Sequence, residues 1–178
     1  MADVSVIGAG SWGTALSVVL SENGHNVTIW SIDQNEIDML LEHHEHKDKL
    51  PGVILPDNMI FTTDLKQACH KKALIVMAVP SVYIRSTAVL MSSYVEKDQV
   101  IVNVAKGIEE NSLMTLSDII EQEIPQAIVA VMSGPSHAEE VARKIPTTCV
   151  VGAKKKETAE FVQNLFIITR EGVPAKYV

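Results

Sequence analysis

The sequence predicts an α/β fold of the doubly wound kind, a mostly parallel sheet with helices on both faces, and three observations carry that expectation. A short β-rich run, Asp3–Ile7, leads through Gly8-Ala9-Gly10-Ser11-Trp12-Gly13 into helical apolar periodicity over 14–20. Further apolar runs at 73–79, 100–104 and 128–132 are bounded by polar or turn residues and alternate with helical patterns at 82–91 and 113–123. Uninterrupted apolar strands of this sort belong to parallel sheets covered on both faces. The chain of 178 residues, 47% hydrophobic, is about one domain long and holds enough apolar side chain for a single core.

Taken in order, the first strand and its glycines come with the flanks that make G-x-G-x-x-G a dinucleotide fingerprint, a strand before and a helix after. Gly8 permits the tight turn, Gly10 has no Cβ to hold off a pyrophosphate, and Gly13 lets helix and strand approach closely. The helix N-terminus offers N–H groups and a positive dipole end to phosphates. Gly24 stops that helix, and Asn26–Trp30 is a second strand, completing a βαβ unit. Asp33 lies twenty residues after Gly13, where a carboxylate holds the ribose hydroxyls of a bound adenosine; it is equally placed to cap a helix over 34–41. The run Ser31-Ile32-Asp33 supplies no positive charge for a 2′-phosphate, so NAD is expected over NADP.

His43, His44 and His46 flank Glu45 but lack a second ligand cluster, so a solvated helix end is expected rather than a metal site. Residues 50–56, with Pro51, Gly52 and Pro56, read as a connection, 59–62 as a short strand, and Asp64 as the cap of a brief helix ending near Cys69. A further strand is expected at 147–151 and a last amphipathic helix at 157–166. The net charge of −7 without a basic stripe argues against nucleic acid as a partner. Cys69 and Cys149 have no C-x-x-C spacing and read as two buried thiols. No apolar run approaches the ~18 residues of a membrane span, and no signal-like segment precedes the first strand, so a cytoplasmic protein without membrane insertion is expected.

Ligands of open parallel sheets bind at the carboxyl ends of the strands. The turns that follow the strands there are 8–13, Pro80-Ser81, Ala105-Lys106-Gly107 and Ser133-Gly134-Pro135-Ser136. Pro80 and Lys106 are therefore cofactor-side candidates. The Lys106 ammonium suits a phosphate or a carbonyl, and the N–H groups at 134–136 are expected to open an anion-binding helix.

Together these motifs resemble the amino-terminal domain of bacterial NAD(P)-dependent glycerol-3-phosphate dehydrogenase. The residues that carry the likeness are the glycine turn through Leu16, Asn23-Gly24-His25 with Trp30, Leu50-Pro51, Val79-Pro80-Ser81 with Arg85, Lys106-Gly107-Ile108-Glu109, and the run from Ser133 to Val141. The resemblance covers roughly 1–166. It implies reversible hydride transfer between NAD(P)H and the central carbonyl of dihydroxyacetone phosphate, a small-molecule phosphate substrate, giving sn-glycerol 3-phosphate for glycerophospholipid synthesis. It also implies that Ser11, Trp12 and Ala138 contact the cofactor and that Lys106, Gly134 and Ser136 contact the substrate.

The family's helical second domain, which supplies its proton-transfer lysine, has no counterpart in the sequence, and 167–178 do not match the family's continuation. The catalytic group is therefore unassigned. The expectation is a chain that binds cofactor with little turnover alone, with a non-catalytic nucleotide-binding or regulatory fragment as the alternative. The surface that would meet the second domain is expected to be apolar and open to homodimer formation.

Overall fold

A computed structural model describes residues 1–167. Apart from Ile167, the expected tail at 167–178 lies outside the described residues. The elements run β1 (Asp3–Ile7), α1 (Ser11–Glu22), β2 (Asn26–Trp30), α2 (Gln34–His43), β3 (Glu45–His46), β4 (Leu50–Ile54), β5 (Ile60–Thr62), α3 (Leu65–Cys69) and β6 (Leu74–Met77). After a 3-10 turn at Ser81–Tyr83 come α4 (Ile84–Met91), β7 (Val100–Asn103), α5 (Leu116–Glu123), β8 (Ile128–Ser133), α6 (Ala138–Ala142), β9 (Val150–Ala153) and α7 (Lys156–Phe166).

Among the described residues the main sheet has seven strands in the order β5-β2-β1-β6-β7-β8-β9. All its pairings are parallel except β8 with β9. The register places Val4 beside Leu74 and Val6 beside Val76. Side chains alternate across a strand, so these four join one core with α1 and α7, through Leu16, Leu20, Val162 and Leu165. Ile7, Ile75 and Met77 point the other way, into a second core with Ile84, Met91, Leu116 and Ile120 of α4 and α5. Both faces are thus covered, as the uninterrupted apolar runs require. A fully buried side chain such as Ile75 contributes about 1.5–3 kcal/mol.

Local chemistry sets the boundaries. Asp33 and Asp64 cap α2 and α3, and Thr115 caps α5 by accepting from the Asp118 N–H. The sequence pattern started α5 at 113, but Leu113 has a left-handed φ of 59° and the helix begins only after the Thr115 cap. The final strand also lies later than its apolar run suggests, at Val150–Ala153, antiparallel to β8. Pairing starts at Ser133 with Val150, because 148 and 149 pack against Gly134 instead.

Two expectations in the 43–56 stretch are corrected. Left-handed His44, φ 46°, ends α2, and the chain returns as an antiparallel hairpin of β3 and β4 where a connection was expected. Pro51 is tolerated because this two-stranded ladder is all edge. His46 is not at a solvated helix end: its side chain is 1% exposed and held by Glu36. The hairpin packs on α1 through Leu50, Val53 and Trp12.

Cys69 and Cys149 are free thiols. Cys69 is buried, and burial pushes its thiol up to about 12. Cys149 is only partly buried. No helix among the described residues is long and apolar enough to cross a membrane.

The segment after β7 is tied down by one ion-pair network. Arg85 Nε and Nη2 donate to the two Glu109 carboxylate oxygens at 2.7 Å each, and Nη1 donates to Glu123. The Glu109 N–H donates to Met114 O at 3.0 Å, closing the 109–114 loop onto the same residue. Hydrogen bonds from the Arg85 guanidinium first, and from the Ser112 hydroxyl, lower the Glu109 carboxyl from 4.5 to about 2. A depressed carboxyl adds stability above its unfolded pKa and loses it as pH falls toward its folded one. Thermal unfolding followed from pH 5 down to about pH 2 should therefore show an acid-limb loss that Arg85→Gln flattens. Parallel limbs in the two proteins would remove Glu109 as its source.

Candidate functional site

The strand order reverses on either side of β1, between its neighbours β2 and β6, and ligands of such sheets bind in the crevice at that switch point. A cavity of about 1010 Å3 opens there, at the upper end of the ~300–1000 Å3 of small-molecule pockets. The sequence-expected residues Gly8, Gly10, Ser11, Trp12, Asp33, Pro80, Lys106, Ser136 and Ala138 all line it.

Gly8 has φ 114°, which a side chain would strain, and a Cβ there would also meet the backbone of Ala78 and Val79 at 2.9 Å. Gly13 does not line the cavity. A Cβ on it would lie 2.0 Å from Gly8 O, so its task is the close approach of α1 to the turn after β1. Gly10 differs from both, with open space within 4 Å of its would-be Cβ. No side chain caps α1 at Gly10, so the first-turn amides, at cavity-lining Ser11 and Trp12, have no side-chain capping acceptor. Within α1, Ser17 Oγ donates to Gly13 O at 2.8 Å.

At the opposite wall Asn103 shapes the turn after β7. Its Nδ2 donates to Ala105 O at 3.1 Å, and its Oδ1 accepts the Ala105 N–H at 3.2 Å. Lys106 then projects from the rim, and its Nζ donates to Gly134 O at 3.2 Å. Gly134 itself is outside the cavity lining, and a Cβ there would meet Thr148 O at 2.4 Å. Its visible roles are close packing and the carbonyl that holds Lys106. Ser136 is buried at the cavity wall with Cys149 Sγ 3.9 Å from its Oγ. The expected anion-binding helix start is not formed at 134–136. The Ser136 N–H donates to Gly134 O, and α6 begins only at Ala138, with His137 at its cap position.

The second-strand end of the cavity holds residues the sequence reading did not single out. Asp33 caps α2 by accepting the Asn35 N–H and also lines the cavity. Beside it stand Ser31, Glu36 and Lys49. Lys49 Nζ and Ser31 Oγ both donate to the Glu36 carboxylate, as does His46 Nε2 at 2.9 Å. Burial raises the Glu36 pKa, but the bonds from Lys49, Ser31 and His46 outweigh it and leave the carboxyl below its ordinary range. Positive charge is thus present at this end, brought by the hairpin from a position distant in sequence. Among the described residues no group of three or more His, Cys, Asp or Glu side chains is arranged to hold a metal ion.

A family model described as "NAD-dependent glycerol-3-phosphate dehydrogenase N-terminus" matches residues 3–159. A glycerol-3-phosphate dehydrogenase [NAD(P)+] of Agathobacter rectalis is 62% identical over 167 residues, covering 94% of this chain and 50% of that protein. The enzyme of the same name from Fusobacterium nucleatum is 50% identical over 171 residues, with the same coverage of 94% and 50%. The crystal structure of glycerol-3-phosphate dehydrogenase from Coxiella burnetii superposes with a TM-score of 0.89 at 28% identity, covering 95% of this chain and 52% of that one. The chain therefore spans about half the length of the curated relatives it matches. With the family match running from β1 into α7 across every turn of the cavity rim, the chain belongs to the NAD-dependent glycerol-3-phosphate dehydrogenase family and carries its N-terminal region.

Proposed function

We propose that this chain is the cofactor-binding part of an oxidoreductase that interconverts dihydroxyacetone phosphate and sn-glycerol 3-phosphate with a nicotinamide dinucleotide. The observation that carries the reading is the uncapped start of α1 beside the open space at Gly10, set in the crevice between β1 and β6. A pyrophosphate fits that place because the missing Cβ leaves room and the first-turn amides can donate to it. Asp33 would accept from the adenosine ribose hydroxyls, while Ser11, Trp12, Pro80 and Ala138 would line the walls. The bound nicotinamide supplies or accepts the hydride.

The chain's own residues would do the rest on the substrate side. Lys106 is tethered to Gly134 O yet exposed at the rim, so its ammonium can face either the substrate phosphate or the carbonyl oxygen as that gains negative charge. The Ser136 hydroxyl, buried at the wall, can donate or accept at the same substrate. The Arg85–Glu109 network, three residues beyond Lys106, limits the motion of that turn.

Two substitutions separate cofactor from substrate. Gly10 has φ −65° and ψ 175°, an extended conformation that valine adopts, so Gly10→Val should fold. Its side chain would fill the pyrophosphate space, and calorimetric titration with NADH should show binding abolished; unchanged affinity would remove the site from this turn. Replacing the matching lysine of a full-length relative as in Lys106→Met should lower turnover by about 100-fold or more, with a much smaller effect on cofactor affinity. A small change in rate would make the lysine a bystander.

A further inference from the structure

We propose that Glu36 sets the nicotinamide dinucleotide preference of this chain, by holding Lys49 in an ion pair at the adenosine end of the cavity. The inference rests on the reading of the cavity as a dinucleotide site. With the pyrophosphate at the start of α1, the ribose falls toward the carboxylate that follows β2, which is Asp33. A 2′-phosphate on that ribose would lie among Ser31, Asp33, Glu36 and Lys49.

The charges there are unevenly fixed. The Glu36 side chain is 11% exposed and accepts from Ser31, His46 and Lys49, whereas the Lys49 side chain is 52% exposed. The carboxylate is therefore the anchored member and the ammonium the mobile one. His46 does not change this balance. Its Nδ1 accepts the Lys49 N–H at 3.3 Å, which leaves the ring proton on Nε2 and makes the ring a neutral donor to Glu36. Of the charged side chains at this end, Asp33 and Glu36 count −1 each and Lys49 +1, a net of −1 that disfavours an added phosphate dianion. Lys49 is the cation able to accept it, and Glu36 competes for that cation.

Removing the competitor should release it. Glu36→Gln keeps one oxygen to accept from His46 and can donate its amide NH2 to the Ser31 hydroxyl, but it brings the net charge of this end to zero and takes the carboxylate partner from Lys49. The Kd values of NADH and NADPH, measured by calorimetry on the chain and its variants, test this. The ratio of the NADPH to the NADH Kd should exceed one in the unmodified chain and fall by about tenfold or more in Glu36→Gln, the worth of one hydrogen bond to a charged group. Glu36→Gln combined with Lys49→Met should lose that gain.

Lys49→Met alone, a change at a half-exposed side chain that does not depend on Glu36→Gln folding, should weaken NADPH further with NADH moving much less. A ratio that stays fixed in Lys49→Met, or a gain in Glu36→Gln that survives the loss of Lys49, would overturn the proposal while leaving the dinucleotide reading intact. An unmodified chain that binds neither nucleotide would overturn that reading and this proposal together.

Discussion

The contact on which the rest of the site depends is the approach of α1 to the turn after β1. A Cβ at Gly13 would sit 2.0 Å from Gly8 O, so the helix can start where it does only because that atom is missing. The consequence is geometric. The helix N-terminus stands at the end of a central strand, at the point where the sheet's order reverses, and Ser11 and Trp12 of its first turn line the cavity. Nine consecutive residues of α1, Gly13 to Ser21, are buried between the sheet, α6 and the β3–β4 hairpin. The dipole end is therefore held by packing on several sides and does not depend on a cap.

Short polar ties then add to the core side chains, such as Trp30, Val79 and Val104, that line the cavity. Asn103 folds the turn that presents Lys106, Gly134 O holds its ammonium, and Arg85 clamps the segment beyond it through Glu109. The two ends of the cavity differ in charge as a result. The Lys106 end carries a cation held by a neutral carbonyl, suited to an anionic substrate. The Lys49 end carries a cation already paired with a carboxylate. On the proposed function, one rim would separate a phosphate-bearing substrate from the choice between two cofactors.

Much of this was legible in the sequence because the signals were local. β1 and β2 match the expected residues, since each is a short β-rich run that leads into a turn, and the fingerprint glycines carry their geometry with them. The rim was legible for the same reason: in a parallel sheet the residue after each strand is on one edge whatever the intervening helix. What was not legible depended on tertiary packing. Pro51 and Gly52 suggest a break, yet they lie in a strand whose partner, β3, forms only after left-handed His44 turns the chain back. His46 and Lys49 look like parts of a polar surface until that hairpin brings them onto Glu36. Gly134 read as a ligand contact is, in the fold, first a glycine that Thr148 leaves no room to replace.

The central claim is that a nicotinamide dinucleotide lies across the rim between β1 and β6. Backbone amide chemical shifts of the labelled chain, followed by NMR during titration with NADH, address it most directly. The account predicts saturable shifts concentrated at Gly8, Gly10, Ser11, Trp12, Asp33 and Lys106, which surround one cavity from distant parts of the chain. Shifts confined to the other end of the sheet, around Lys72 and Gln99, or no saturable shifts at all, would contradict it.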